Sequence, residues 1–325
     1  MRRSKLGPGE PSGCLLLNKR PGITSFEALA GVKRAFATDK VGHTGTLDKF
    51  ASGLLLVLVG RAVKLSSWFS GMDKQYEGTI CFGVETDTLD PEGSRVAEGR
   101  IPSREALEAA LPQFQGDILQ APPEYSAIHV QGQRSSQLAR KGKAVALDKR
   151  PVSVYALELK GYEVSGEGYA YAQIWVHCSK GTYIRALARD LARAVGSRGY
   201  LTALHRTGIA GFQVSQGVDL GDRADPAPLL EEALRPMDQS ILKALGIPYV
   251  KVNPETVLQM IHGKPLDDLI DESTVYYPPS TGPVIPYIGV LDETGNLAAI
   301  IEKTEKIEKT NKKKNWSYGY VYARP

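Results

Sequence analysis

The longest unbroken aliphatic run in the chain, Leu54-Leu55-Leu56-Val57-Leu58-Val59, follows a glycine-punctuated stretch from Gly42 to Gly53. Six residues fall far short of the ~20 that a membrane-spanning helix needs, so the run reads as a buried strand fed by a loop. The chain has 325 residues. Single cores stop growing near ~250 to 300 residues, so one large domain and one small one are expected. With 42% hydrophobic and 23% charged residues, a disordered, collagen-like or disulfide-framework protein is excluded.

Further strands are expected at Gly13 to Asn18, Tyr76 to Gly83 and Tyr169 to Cys178. Thr24 or Ser25 can cap a helix through Phe36 whose stripe is Phe26, Leu29, Val32 and Phe36. Ser103 to Phe114 is helical. So is Tyr183 to Val195, which carries Arg185, Arg189 and Arg193 at i, i+4 and i+8. This irregular alternation favours a mixed sheet over a βαβ repeat. A short Leu-rich helix within Asp219 to Pro236 precedes a boundary near Gly246. Beyond it, Val250 to Val252, Val284 to Val290, Leu297 to Ile301 and Tyr318 to Tyr322 form a small all-β pattern, with Glu302 to Asn315 as an exposed connection.

Net charge is only +4, but it is segregated: residues 1–72 and 122–214 each carry +7, and the remainder is acidic. One basic face for nucleic acid would produce this pattern, as would solvated helices. Cys14, Cys81 and Cys178 are too widely spaced for a Cys-x-x-Cys metal knuckle and odd in number, which fits a reducing cytoplasm. The N-terminal apolar run, Cys14 to Leu17, is too short for a signal segment.

The densest chemistry lies at Gly42-His43-Thr44-Gly45-Thr46-Leu47-Asp48, ahead of Ser52-Gly53-Leu54-Leu55. Asp48, entering an aliphatic strand, suits a nucleophile or base at the edge of a dry pocket, and equally a capping or turn residue. A phosphate-binding Gly-x-x-x-x-Gly-Lys spacing is absent, no second acid is evident beside Asp48, and the scattered histidines suggest no metal site. Tyr183-Ile184-Arg185 offers an aromatic face and a guanidinium able to pair with a carboxylate.

Together these motifs resemble the bacterial tRNA pseudouridine-55 synthases, the TruB family. The resemblance runs in order through Leu15 to Lys19 with Gly22 to Ser25, Gly42 to Leu55 with Gly60 to Lys64, and Asp73 to Tyr76 with Gly83 to Thr88. It continues through His177 to Arg185 and Leu201 to Thr207. It implies an α+β pseudouridine synthase fold, a central mixed, largely antiparallel sheet flanked by helices, plus a small C-terminal PUA-like β-barrel. The implied organisation is a loose tail at 1–12, a catalytic domain at 13–246 with an RNA-closing insertion at about 122–150, and the PUA-like domain at 247–325. The insertion holds Tyr125-Ser126-Ala127, Gln131 to Arg134 and Arg140 to Lys143.

By this resemblance Asp48, Tyr76 and Arg185 are catalytic. His43 fills the space of a flipped uridine, Tyr76 lies against the base, and Tyr183 and Leu204 wall the pocket. Lys19 and Lys64 are further substrate-binding candidates. Arg185 is expected to hold the Asp48 carboxylate ionised by lowering its pKa. The implied partner is tRNA, through its T arm, with the acceptor arm as the contact of the PUA-like domain, and with no cofactor, membrane or obligatory protein partner; a cytoplasmic monomer follows. The chain departs from the family at Lys49, where Pro is usual, at Arg20-Pro21, and at His205, where Arg is common. A non-catalytic RNA-binding module and a guide-RNA-dependent relative are the alternatives.

Overall fold

A computed structural model describes residues 11–126, 128–130, 133–135, 147–221, 223, 225–266, 269–279, 286–303 and 316–323. Residues 1–10, Ala127, Gln131, Gly132, Arg140 to Lys143 and positions 304–315 of the expected connection lie outside the described residues.

Seven strands form the spine of the large unit: β1 (Gly13–Lys19), β2 (Ser52–Val59), β3 (Lys74–Phe82), β4 (Gly116–Gln120), β5 (Arg150–Val164), β6 (Ala170–Cys178) and β7 (Gly199–Ile209). They lie in the order β1-β2-β7-β3-β6-β5-β4, with Val41–His43 added to β2 and Phe212–Gln213 to β7. Every pairing is antiparallel except β2 with β7, which gives the expected mixed, largely antiparallel sheet. That parallel contact sets Arg206 opposite Gly53. Gly53 has φ +105°, and a Cβ there would meet the Arg206 carbonyl oxygen at 2.3 Å, so only glycine fits this crossing.

The aliphatic run in β2 is buried on both faces because it serves two cores. Leu54, Leu56 and Leu58 pack with Cys14, Leu16, Phe69, Ile241 and Leu242. Leu55, Val57 and Val59 pack with Leu15, Leu17 and the helix α1 (Ser25–Phe36). Each such side chain contributes about 1.5–3 kcal/mol when fully buried. α1 starts at the expected place, through a capping box in which Glu27 N–H donates to Thr24 Oγ1 and Thr24 N–H to the Glu27 carboxylate. Its buried stripe is Ala28, Leu29, Val32 and Phe36. Phe26, expected in that stripe, is 72% exposed, because it sits a turn ahead on the opposite edge, under the Lys33 ammonium.

A third core joins β3, β6 and β7 to helices α2 (Arg104–Ala110) and α3 (Ile184–Ala194). α2 is shorter than expected: Pro112 follows it and the chain continues as a 3₁₀ turn, Leu111–Phe114. β5 and β7 have no counterpart among the expected strands. Their inward positions alternate with Thr, His, Glu and Lys, and one inward residue of β7 is Arg206.

The C-terminal unit is a separate four-stranded sheet of β8 (Tyr249–Lys251), β9 (Tyr287–Leu291), β10 (Leu297–Lys303) and β11 (Trp316–Val321). It also contains a helix, α4 (Pro254–Ile261), where only strands and turns were expected. Asn253 caps that helix by accepting from Thr256 N–H, and Pro254 occupies its first position. Among the described residues, no helix is long and apolar enough to cross a membrane.

Candidate active site

The glycine-punctuated loop is pinned at several points before it reaches Asp48. Ser25, buried at the start of α1, both accepts from Leu47 N–H at 2.8 Å and donates to Leu47 C=O at 3.0 Å. Thr44 N–H reaches Leu56 C=O, and Ala51 N–H closes a turn on Asp48 C=O. From β7, the buried Arg206 donates through Nε to Leu54 C=O and through Nη2 to Gly45 C=O. Backbone so fully bonded fixes where the Asp48 carboxylate points.

Opposite it stands Arg185, 5% exposed, in the first turn of α3. Its Nε lies 2.9 Å from Asp48 Oδ2, and its Nη2 donates to Asp48 Oδ1 at 3.1 Å. The same guanidinium donates through Nη1 to Asp90 Oδ2 at 3.1 Å and to Thr88 C=O, and through Nη2 to Tyr125 C=O. One cation therefore faces two carboxylates, correcting the expectation that no second acid lies near Asp48. Asp90 is 4% exposed and also accepts from Thr88 Oγ1 and Glu92 N–H. The preceding Leu89 adopts φ +60°, backbone strain beside the site.

Burial raises the Asp48 carboxyl above the usual carboxylate range; Arg185 pulls it down, and the Asp90 carboxylate pushes it up again. The net direction is upward, so Arg185 offsets desolvation without reversing it, contrary to expectation. The Asp48 side chain nevertheless keeps 39% of its exposure, so its outer edge is open to a substrate.

Close to this pair lie Tyr76, Tyr183 and Leu204. Tyr76 and Leu204, both buried, share a core with Leu47 and Ile184. Burial raises the Tyr76 phenol, with the Arg206 guanidinium opposing, so it stays protonated at neutral pH. His43 ends the short strand before the loop, and burial followed by Arg206 lowers its pKa. A neutral imidazole costs little to place among bases. Tyr183 is the residue before α3; burial raises its phenol, opposed by the Ser126 hydroxyl. Lys64 is exposed on the turn Gly60–Leu65.

Lys19 is not placed as a substrate-facing cation. It is 1% exposed, and its ammonium donates to the carbonyls of Arg20, Ile23 and Lys49, knitting the turn after β1 to the loop after Asp48. Burial lowers its pKa to about 8. With Arg185 and Arg206 also internal, part of the two basic blocks lies inside the protein. Lys49 directs its side chain outward, 4.0 Å from Glu92. A groove of about 960 Å³ lined by Asp73, Tyr155, His177 and Tyr287 lies elsewhere and contains none of the candidate residues.

Asp90, Arg206 and the loop-pinning role of Ser25 escaped the sequence reading. Asp90 sits in Leu89-Asp90-Pro91, indistinguishable from a turn acid, and Arg206 is a charged residue at an inward position of β7, where an apolar one is expected.

The fold is that of a pseudouridine synthase. It matches the solved structure titled "Crystal Structure of a Cbf5-Nop10-Gar1 Complex" with a TM-score of 0.68, covering 96% of this chain and 85% of that one at 22% identity. A second, titled "Crystal structure of the archaeal box H/ACA sRNP Nop10-Cbf5 complex", gives 0.67 over 97% and 87% at 20% identity. The family model "TruB family pseudouridylate synthase (N terminal domain)" matches residues 33–184, which include His43, Asp48, Tyr76 and Tyr183. Over 242 residues the chain is 41% identical to tRNA pseudouridine synthase B of Borreliella burgdorferi (strain ZS7), covering 74% of this chain and 84% of that protein. Over 227 residues it is 43% identical to tRNA pseudouridine synthase B of Treponema denticola, covering 65% and 64%. This chain belongs to the TruB family of pseudouridylate synthases.

Proposed function

We propose that this enzyme isomerises the uridine at position 55, in the T loop of tRNA, to pseudouridine, with Asp48 as the catalytic carboxylate. The observation that carries this reading is the Asp48 carboxylate held by buried Arg185 with its outer edge open. The reaction breaks the uridine N1–C1′ bond, turns the uracil and joins C5 to C1′, with no redox change. Asp48 acts on the ribose side, by attack at C1′ or by removing a proton; both roles use the ionised form. Arg185 stabilises that form in a pocket walled by Tyr76, Tyr183 and Leu204.

The target uridine must leave its stack, at a cost of a few kcal/mol. His43 fills the vacated space as a neutral ring, and Tyr76 stacks on the extracted base, worth ~1–3 kcal/mol. The insertion at about 122–150 is assigned to contact with the T arm. Residues 247–325 form a PUA-like unit toward the acceptor arm, and 13–246 the catalytic unit. The enzyme works in the cytoplasm as a single chain without a guide RNA or cofactor.

The test is incubation of an unmodified tRNA transcript with the purified protein and with Asp48→Asn, mapping pseudouridine by position. Modification of the T-loop uridine by the parent alone is expected. Intact uridine with tight binding would leave a non-catalytic RNA-binding module, and modification only on addition of a guide RNA would leave the guide-dependent reading.

A further inference from the structure

Gln120 is the last residue of β4, and it pairs with Arg150, the first residue of β5. The expected insertion therefore springs from the chain at a two-strand base whose one post is Gln120. The Gln120 side chain is 2% exposed and turns toward α3 rather than toward its own strand partner. Its Oε1 accepts from Tyr183 N–H at 2.8 Å, and its Nε2 donates to Tyr183 C=O at 3.2 Å. Tyr183 N–H is thus satisfied by this amide, and Tyr183 C=O, which already accepts from Leu187 N–H at 3.0 Å, takes a second bond from it. Tyr183 has no side-chain cap of its own, so the entry angle of α3 depends on this clamp.

The next residues extend the contact. Ala121 C=O accepts from Arg189 Nη2 at 2.8 Å, one turn along α3. Tyr125 C=O accepts from Arg185 Nη2 at 3.0 Å, the same nitrogen that donates to Asp48 Oδ1. The base of the insertion and the catalytic carboxylate therefore share a guanidinium, and Gln120 fixes the backbone from which that guanidinium projects.

We propose that Gln120 is a positioning residue: its amide couples the base of the insertion to the start of α3 and so sets the placement of Arg185 against Asp48. Gln120 need not touch RNA. The inference rests on the pseudouridine synthase reading, and the wild-type protein separates the two: if it forms no pseudouridine, that reading fails, whereas modification by wild type with indifferent Gln120 variants overturns only the coupling.

The informative variant is Gln120→Met, which keeps volume and removes both hydrogen bonds; Gln120→Glu keeps the acceptor and loses the donor. Single-turnover pseudouridine formation is measured with excess protein on tRNA transcript, alongside RNA affinity and the fraction of active sites. A displacement near 1 Å in a catalytic group costs roughly 100-fold in rate, so Gln120→Met is expected to slow the step by roughly 10- to 100-fold per active site, with affinity nearly unchanged. Gln120→Glu falls between. A merely structural role would lower the active fraction or the melting temperature and leave the rate per active site intact, which would overturn the proposal. A loss confined to affinity would overturn it too. Should Gln120→Met not fold, Gln120→Leu, which likewise removes both hydrogen bonds, decides alone: a rate equal to wild type refutes the coupling.

Discussion

Asp48 and Asp90 grip the guanidinium of Arg185 from two sides, Asp48 at the Nε and Nη2 edge and Asp90 at Nη1. The two acids differ in solvent: the Asp90 side chain is closed off at 6% exposure, whereas the Asp48 side chain keeps 39%. Asp90 anchors the cation and Asp48 presents the solvent-facing edge.

Removing the cation should therefore be felt first at Asp90. Arg185→Met leaves a buried carboxylate without its partner, and breaking a buried pair in this way costs about 3–5 kcal/mol, to be read from denaturant midpoints. Arg185→Lys keeps the charge but not the fork, so it should fold while losing most turnover; normal turnover would refute the two-point contact.

Asp90→Asn tests the electrostatics. Asp90's charge is one of the causes that raise the Asp48 carboxyl, so its removal lowers that pKa, and Arg185, less neutralised, lowers it further. In the role proposed for Asp48 the carboxylate is the active form, so the acid limb of the pH-rate profile should move to lower pH. The plateau should fall by roughly tenfold as Arg185 loses an anchor. A limb that moves to higher pH contradicts this account.

Ser25→Ala strips Leu47 of partners for its N–H and its C=O at a buried position. Unsatisfied buried groups cost about 1–3 kcal/mol, and the loop carrying Asp48 is the part released. A fall of about 2 kcal/mol in stability is expected, together with a larger proportional fall in single-turnover rate than in RNA affinity.

Tyr76→Phe keeps the ring and removes the hydroxyl. RNA affinity should hold, since stacking depends on the ring, while the chemical step should slow by on the order of 100-fold if the hydroxyl handles a proton. Full activity would show the hydroxyl dispensable.

Much of this was legible because it is local. The Thr24 cap, the Leu54 to Val59 strand and the arginine spacing on α3 follow from short-range pattern, and ordered motifs gathered Asp48, Tyr76 and Arg185 before any contact was visible. What was hidden is long-range. Asp90 and Gln120 lie 95 and 63 residues from the groups at the start of α3 that they bond, and nothing nearby in sequence marks either. The strand β7 was missed because its inward face carries Arg206, whose burial depends on carbonyls contributed by the loop and β2. Lys19 was hidden for the same reason: its place in a family motif suggested a substrate contact, whereas its ammonium lies among backbone carbonyls.

The core on the even-numbered side of β2 does not stop at the catalytic sheet. Leu54, Leu56 and Leu58 share it with Leu245, Ile247 and Tyr249, and with Leu291, Leu297 and Ile300 of the C-terminal sheet. A chain cut after residue 246 would open that oil-filled joint rather than shed an appendage. The two sheets are joined by a packed apolar seam and not by a bare tether, so loosening that seam loosens both sheets at once.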